Sequence, residues 1–180
     1  MRRVLFTLAA FCFVGFASAQ YRNSSGSDKW YFGGGFGLSI GTDVTAISAS
    51  PMVGYKVTDR LSVGTALTYQ YVNNKLYDIT YSNYGGGPFT RFQVTDKYFT
   101  HAEYEYLSFE YADGSLTPDG DFATFRDGYS SLWLGAGYRE NIGRSAGFFL
   151  LALYNVLYDE TEISPYASPL SIRAGVAVGF

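Results

Sequence analysis

From Leu170 to Phe180 the chain alternates strictly. Leu170, Ile172, Ala174, Val176, Val178 and Phe180 are apolar, and the residues between them, Ser171, Arg173, Gly175, Ala177 and Gly179, are small or polar. Successive side chains of an extended strand point to opposite faces, so a period of two makes a strand with one apolar and one polar face. The same habit recurs along the chain. Eight segments read as strands: Lys29–Ile40, Ala46–Val57, Leu61–Asn74, Gly86–Val94, Tyr98–Ala112, Gly128–Tyr138, Ala146–Tyr158 and Pro169–Phe180. About 10 residues tilted near 45° cross the apolar band of a membrane, and these segments are long enough. An even number of antiparallel strands can close into a barrel. Closure matters because an open sheet edge in lipid leaves backbone groups unpaired.

The connections alternate in kind. Thr58-Asp59-Arg60 and Thr95-Asp96-Lys97 are compact, and with the valine before each they form near repeats, Val-Thr-Asp-Arg and Val-Thr-Asp-Lys. Both have turn chemistry. Arg139 to Ser145 is the third connection on that side. Lys75–Gly85, Asp113–Asp127 and Asp159–Ser168 are longer and carry Gly, Pro, Asp, Asn and Tyr. The first connection, Gly41–Thr45, is short. Short turns at one end and long loops at the other is the habit of outer-membrane barrels, with the short turns in the periplasm. Both termini then belong to the periplasmic side.

The N-terminus reads as a secretory signal. Arg2 and Arg3 supply the positive region, Val4 to Ala17 the apolar region, and Ala17-Ser18-Ala19 a cleavage site before Gln20. That apolar run is shorter than the roughly 20 residues of a membrane helix. The expected organisation is a signal peptide at 1–19, a polar, Ser-rich leader at 20–28, and a barrel domain at 29–180. Cys12 is the sole cysteine and lies inside the signal. Phe11 precedes it, where a lipoprotein signal needs a small residue, so lipidation is not expected and the mature chain carries no thiol. Loss of Arg2 and Arg3 takes the formal charge from −3 to −5. With no basic block, nucleic acid is not an expected partner. The 17 Tyr and 15 Phe suit aromatic girdles at two membrane interfaces.

Alternation assigns faces. In strand one, Trp30, Phe32, Phe36, Leu38 and Ile40 share the lipid side, and Tyr31, Gly33, Gly35, Gly37 and Ser39 the interior. In strand three, Leu61, Val63, Leu67, Tyr69 and Tyr71 point out, and Ser62, Gly64, Ala66, Thr68 and Gln70 point in. The interior then collects Lys56, Arg91, Gln93, His101, Glu103, Glu105, Arg139 and Arg173, with Trp133. Strand seven, Phe148 to Leu153, is apolar on both faces, and its orientation is not readable. Eight strands enclose a space that side chains fill, and charges inside it must pair. A buried network of Lys56, Arg91, His101, Glu103, Glu105 and Arg173 is expected, with Glu103 and Glu105 meeting Arg91, Arg173 and Lys56. The alternative for these residues is a polar path for protons or small ions.

Chemistry is sparse. One histidine and no clustered metal ligands offer little for catalysis. A lipid-modifying barrel enzyme would need its residues near the extracellular ends of strands, whereas His101 follows the turn Thr95–Lys97 by a few residues. A non-enzymatic chain without cofactor or metal is expected. The loop acids Asp78, Asp113, Asp119, Asp121, Asp127, Asp159, Glu160 and Glu162 lack the spacing of a calcium loop. The glycines at Gly33-Gly34-Gly35-Phe36-Gly37 lie within a strand with no helix after it, so they do not form a phosphate loop.

Read backward from Phe180, the order is aromatic, hydrophobic Val178, Gly175 and polar Arg173. This resembles the C-terminal sorting signal that the barrel assembly machinery recognises, with Val178 where a second aromatic is common. The segment Gly85 to Phe92 (GGGPFTRF), followed by Tyr98 to Leu107 (YFTHAEYEYL), is similar to a Bacteroidota variant of the small OmpA/OmpX-like outer-membrane barrels, with Arg91, His101, Glu103 and Glu105 at the matching positions. The resemblance implies an all-β, eight-stranded, antiparallel up-and-down transmembrane barrel in the outer membrane of a Gram-negative bacterium. It implies outer-membrane lipid and lipopolysaccharide around the barrel, and the assembly machinery as a partner during insertion. The expected role is structural or surface recognition through the loops. The alternative is an accessory subunit of a larger outer-membrane complex with a protein partner there. A lipid A-modifying enzyme and a narrow pore are the weaker readings.

Overall fold

A computed structural model describes residues 29–40, 44–74, 79–116, 122–142, 146–166 and 168–179. Residues 1–28, which hold the expected signal, its cleavage residues Ala17, Ala19 and Gln20, and the leader, lie outside the described residues. So does Phe180. The described residues form eight antiparallel strands: β1 (Trp30–Ile40), β2 (Val44–Lys56), β3 (Leu61–Asn74), β4 (Ile79–Gln93), β5 (Tyr98–Leu116), β6 (Phe122–Ile142), β7 (Ala146–Asn155) and β8 (Leu170–Val178). Each pairs with its neighbours in sequence, and β8 pairs with β1 to close the barrel.

The two Val-Thr-Asp repeats fold into matching turns. Thr58 Oγ1 accepts the backbone N–H groups of Arg60 and Leu61 at 3.3 and 2.9 Å. Thr95 Oγ1 does the same for Lys97 and Tyr98 at 3.3 and 3.1 Å. The threonine side chain thereby satisfies turn donors that no strand can reach. Beside the second turn, Lys97 meets Glu140 at 2.8 Å, and that bond holds the exposed ammonium above its ordinary pKa.

The strand bounds depart from the expected ones chiefly at the other end. β4 begins at Ile79 rather than Gly86, β5 runs to Leu116 rather than Ala112, and β6 runs from Phe122 to Ile142 rather than Gly128 to Tyr138. Much of the expected loops Lys75–Gly85 and Asp113–Asp127 is therefore strand. The β5–β6 pairing holds without a break from Tyr98↔Tyr138 to Ala112↔Thr124, then shifts before Leu116↔Phe122. Gly114, with φ of 88°, sits in that shift, where a left-handed backbone suits glycine. Cross-strand contacts explain the extension. Arg126 bonds Glu110 at 2.6 Å, and the rings of Tyr111 and Phe125 lie 6.1 Å apart. Conversely, β7 stops at Asn155 rather than Tyr158 and β8 at Val178.

The alternation of faces is sharp. The exterior is apolar: Phe32, Val63, Leu67, Leu134, Leu150, Ile172 and Val176 are all exposed. Aromatics collect on this surface at two levels. Towards the turns lie Trp30 against Tyr55 (rings 4.9 Å apart) and Tyr98 against Tyr138 (5.5 Å). Further along the strands lie Tyr69, Tyr71, Tyr84, Tyr104, Tyr106 and Tyr154, also exposed. The orientation of β7, unreadable in the sequence, is defined: Phe149, Leu151, Leu153 and Asn155 are buried inside, and Phe148, Leu150 and Tyr154 point out.

Inside, four aromatic rings lie on four glycines. Tyr31 is the register partner of Gly54, Phe89 of Gly64, Phe99 of Gly137 and Phe149 of Gly175. In each case a methyl on the glycine would run into the ring. Each of the hairpins β1–β2, β3–β4, β5–β6 and β7–β8 supplies one such pair. Interior glycines are therefore seats for rings, and the rings fill the turn end of the lumen. Gly137→Ala should destabilise the folded barrel by about 1–3 kcal/mol through overpacking. Phe99→Leu in the same chain should recover part of that loss. Urea unfolding of the single and double variants in detergent checks this, and strictly additive losses would refute the pairing.

Candidate functional site

Among the described residues, the buried polar side chains lie on β4, β5, β6 and β7, and Thr68 of β3, Arg173 of β8 and the loop residue Tyr166 join them. Glu103 and Glu105 lie two apart on β5, so both point inward. Arg173 on β8 reaches across the lumen and donates from Nη1 to Glu103 Oε1 at 2.8 Å. Its Nη2 stands 3.9 Å from Glu105 Oε2, and its guanidinium lies over the Trp133 ring at 5.1 Å. Glu103 Oε2 accepts from His101 Nε2 at 2.9 Å. His101 Nδ1 in turn accepts from Arg91 Nε at 3.1 Å. Those two bonds assign the histidine's proton to Nε2, the neutral form.

Arg91 is held differently from the expectation. It bonds His101 and donates from Nη2 to Met52 Sδ at 3.3 Å. Three rings surround its guanidinium, those of Phe89, Phe99 and Phe149, at 4.9, 5.2 and 5.0 Å. A weakly hydrated, planar cation is suited to such an aromatic cage. Arg91 thus meets the glutamates through His101. The glutamates' nearest cation is Arg173. Lys56 lies on the interior face at the turn end, paired in register with Ser62. Gln93 and Arg139 are at the same end, where they bond the backbone oxygens of Thr95 at 2.6 Å and Asp96 at 3.0 Å.

Glu105 accepts three side-chain hydrogen bonds. Its Oε1 accepts from the Thr68 hydroxyl at 2.7 Å. Its Oε2 accepts from Trp133 Nε1 at 3.0 Å and from the Tyr166 hydroxyl. Tyr166 belongs to the segment between β7 and β8, inside the expected loop Asp159–Ser168, where a tyrosine suits recognition. Instead it folds into the barrel, edge-on to Trp133 with ring centroids 4.9 Å apart. Tyr81 takes an interior position of β4 while Tyr84 is exposed. Tyr77 is outside the described residues. The partners of Thr68, Met52 and Trp133 are visible only once the strands are in register. Nothing in the sequence singles out Asn155. It closes β7 by accepting from the N–H groups of Leu132 and Leu157, each at 3.1 Å, and by donating to Ser131 Oγ at 3.1 Å.

A cavity of about 200 Å³ lies beside this network. Met52, Ala66, Phe149 and Leu151 supply apolar lining, and Ser48, Ser50, Thr68, Gln70 and Ser171 supply hydroxyl and amide groups. Arg91, Glu103, Glu105 and Arg173 border it. Among the described residues, no group of three or more His, Cys, Asp or Glu converges as metal ligands. The chain matches no family model and no curated protein sequence.

Removing Glu103 leaves both Arg173 and His101 without their carboxylate partner inside the barrel. Breaking a buried pair by deleting one member costs about 3–5 kcal/mol. Glu160 is an exposed loop residue, and its loss should stay within about 0.5 kcal/mol. Urea midpoints of Glu103→Ala and Glu160→Ala should therefore differ widely, and equal midpoints would show that the lumen charges are not structurally coupled.

Proposed function

We propose that this protein is an integral outer-membrane β-barrel of the OmpA/OmpX-like kind, with a structural or surface-recognition role. The observation that carries the reading is the exterior: an apolar wall between two levels of aromatic side chains, around an interior whose charges are paired. In water that wall would be a large apolar liability. In a bilayer it is the expected lipid face, with Tyr and Trp at the two interfaces. The closed sheet suits the same setting, because hydrocarbon offers no partner to a free strand edge.

A filled interior supports a structural or recognition role over transport. At the turn end Tyr31, Phe89, Phe99 and Phe149 are buried around Arg91. His101 has both ring nitrogens engaged, so it is poorly suited to act as a base on a substrate. Recognition then falls to the tall side of the barrel. β5 has 19 residues and β6 has 21, against the roughly 9–11 that cross a membrane. The excess forms a ribbon standing above the wall, with Leu116 and Phe125 exposed on it and Arg126 over the Tyr84 ring at 4.7 Å. Exposed aromatic and apolar groups on a stiff ribbon suit contact with a partner surface.

The experiment is topological. An epitope inserted at 117–121 should bind antibody on intact cells. One inserted between Thr58 and Arg60 should bind only after the outer membrane is permeabilised. Recovery of the protein in the soluble periplasmic fraction would sink the membrane reading, and the reverse labelling pattern would sink the orientation.

A further inference from the structure

The seam that closes the barrel is short. Among the described residues β1 and β8 are in register from Phe32↔Val178 to Phe36↔Ala174. Beyond that point both strands continue. β1 keeps pairing with β2 up to Ile40↔Thr45, and β8 keeps pairing with β7 up to Leu170↔Tyr154. Segments 37–40 and 170–173 are thus each held on their outer sides and share no ladder with each other. Above Phe36 and Ala174 the wall has no β1–β8 ladder among the described residues, which leaves a wedge in its hydrogen bonding.

The cavity meets the wall at this wedge. Its lining includes Gly35, Phe36, Ser171, Ile172 and Arg173, of which Phe36 and Ile172 carry outward-facing side chains. Flanking the wedge outside are Ile172 (70% exposed), Leu170 (68%) and Phe36 (66%), the most exposed large apolar side chains among the described residues. Leu38 pairs with Ile47, which pairs with Tyr71, and Leu170 pairs with Tyr154, so the wedge stands at the upper aromatic level, at the edge of the lipid wall, and exposed apolar side chains flank it. An opening framed in this way favours a molecule that arrives from lipid.

The inner end of the cavity sets the head group. Two guanidiniums, Arg91 and Arg173, are balanced there by two carboxylates, Glu103 and Glu105. An anion would face the carboxylates and a cation the guanidiniums, so neither is favoured. Arg173 is the accessible member, with 21% of its side chain exposed against 5% for Glu103 and 1% for Glu105. Its Nη2, 3.9 Å from Glu105 Oε2, is beyond hydrogen-bond reach of that oxygen, which leaves it able to donate to an incoming acceptor. Ser50, Thr68 and Ser171 add uncharged partners. The volume of about 200 Å³ holds roughly seven groups of water or methylene size at ~30 Å³ each.

We propose that the gap between β1 and β8 is a lateral entrance, and that the cavity behind it binds an uncharged single-chain amphiphile of medium length. The head hydrogen-bonds to Arg173 and the serine and threonine hydroxyls, and the tail lies through the wedge between Phe36 and Ile172. This rests on the membrane reading above.

Trp133 is a built-in reporter, buried and 5.1 Å from the Arg173 guanidinium. Trp30→Phe removes the other tryptophan of the two in the chain. Protein extracted from membranes would be reconstituted in phospholipid vesicles, with insertion verified by heat-dependent gel mobility, and titrated with bromine-labelled octanol. Failure to insert counts against the membrane reading. The later steps test the site alone.

Trp133 should be quenched saturably by the alcohol, at a concentration about tenfold below that needed for bromine-labelled octanoate. Ser171→Phe, or Ser50→Leu should Ser171→Phe not fold, should raise the half-saturation point about tenfold. Positions 38 and 172 would be partners if the β1–β8 register continued, so a disulfide between Leu38→Cys and Ile172→Cys should slow quenching until reductant is added. Quenching that rises linearly and equally in the filled variants reports simple partition into lipid and overturns the site. Saturable quenching that ignores the disulfide overturns the lateral route.

Discussion

The bond from Arg173 to Glu103 joins the last strand to the fifth across the lumen, and the interior is arranged around it. β8 and β5 are not neighbours in the sheet, so the ladder cannot tie them. A charge pair whose carboxylate is buried can. Each end of this pair needs further partners to offset its desolvation. His101 supplies one for Glu103, and Arg91 then orients His101. Trp133 packs on the other side of Arg173 and donates to Glu105, which also takes Thr68 and Tyr166. The result joins β3, β4, β5, β6 and β8 with the β7–β8 segment. It gives one register to an enclosure whose apolar outer face has little to specify it.

The rest of the filling is steric. A lumen enclosed by eight strands has little spare width, so large rings fit only where the facing strand gives way. The chain meets that need with a glycine directly across from each of Tyr31, Phe89, Phe99 and Phe149. Three of these rings then serve twice, since Phe89, Phe99 and Phe149 also enclose the Arg91 guanidinium. Packing and charge burial are solved by the same side chains. A smaller residue at any of those three positions would both open a void and uncover a cation.

The faces of β1, β3 and β5 are legible in the sequence because alternation survives wherever one side is apolar and the other polar or small. Strand seven is not legible by that rule. Phe148, Phe149, Leu150 and Leu151 are apolar on both sides, as the inward members fill the lumen while the outward ones cover the wall. The upper parts of β4, β5 and β6 are hidden for the opposite reason. Residues such as Asn83, Thr124 and Asp127 have loop composition, and their partners across the sheet, Gln70, Ala112 and Phe109, hold them extended. Of the polar network, the inward set follows from parity alone. Who bonds whom does not, because register across non-neighbouring strands has no local signal. Tyr166 is the clearest case: nothing in Ser164-Pro165-Tyr166 announces that the ring turns inward.

Unequal strand lengths tie these features together. β5 and β6 are about twice as long as β7 and β8, so the barrel has a tall wall on one side and a low one on the other. On the tall side the β5–β6 ladder keeps its backbone groups paired far beyond the barrel, and Phe109, Tyr129 and Tyr166 pack aromatic bulk against its inner face. On the low side β8 is the shortest strand, with nine residues, and its ladder with β1 stops at Phe36↔Ala174 although both strands run on. The barrel therefore closes most weakly where its wall is lowest, and the cavity is found on that side. Lumen side chains reinforce the asymmetry: bulky residues on β5, β6 and β7 face small ones, Gly35, Ser48, Ser50 and Ser171, on β1, β2 and β8. A chain selected only for a solid plug would fill that space with one more large side chain. Keeping four small residues there leaves room beside the one accessible guanidinium of the network.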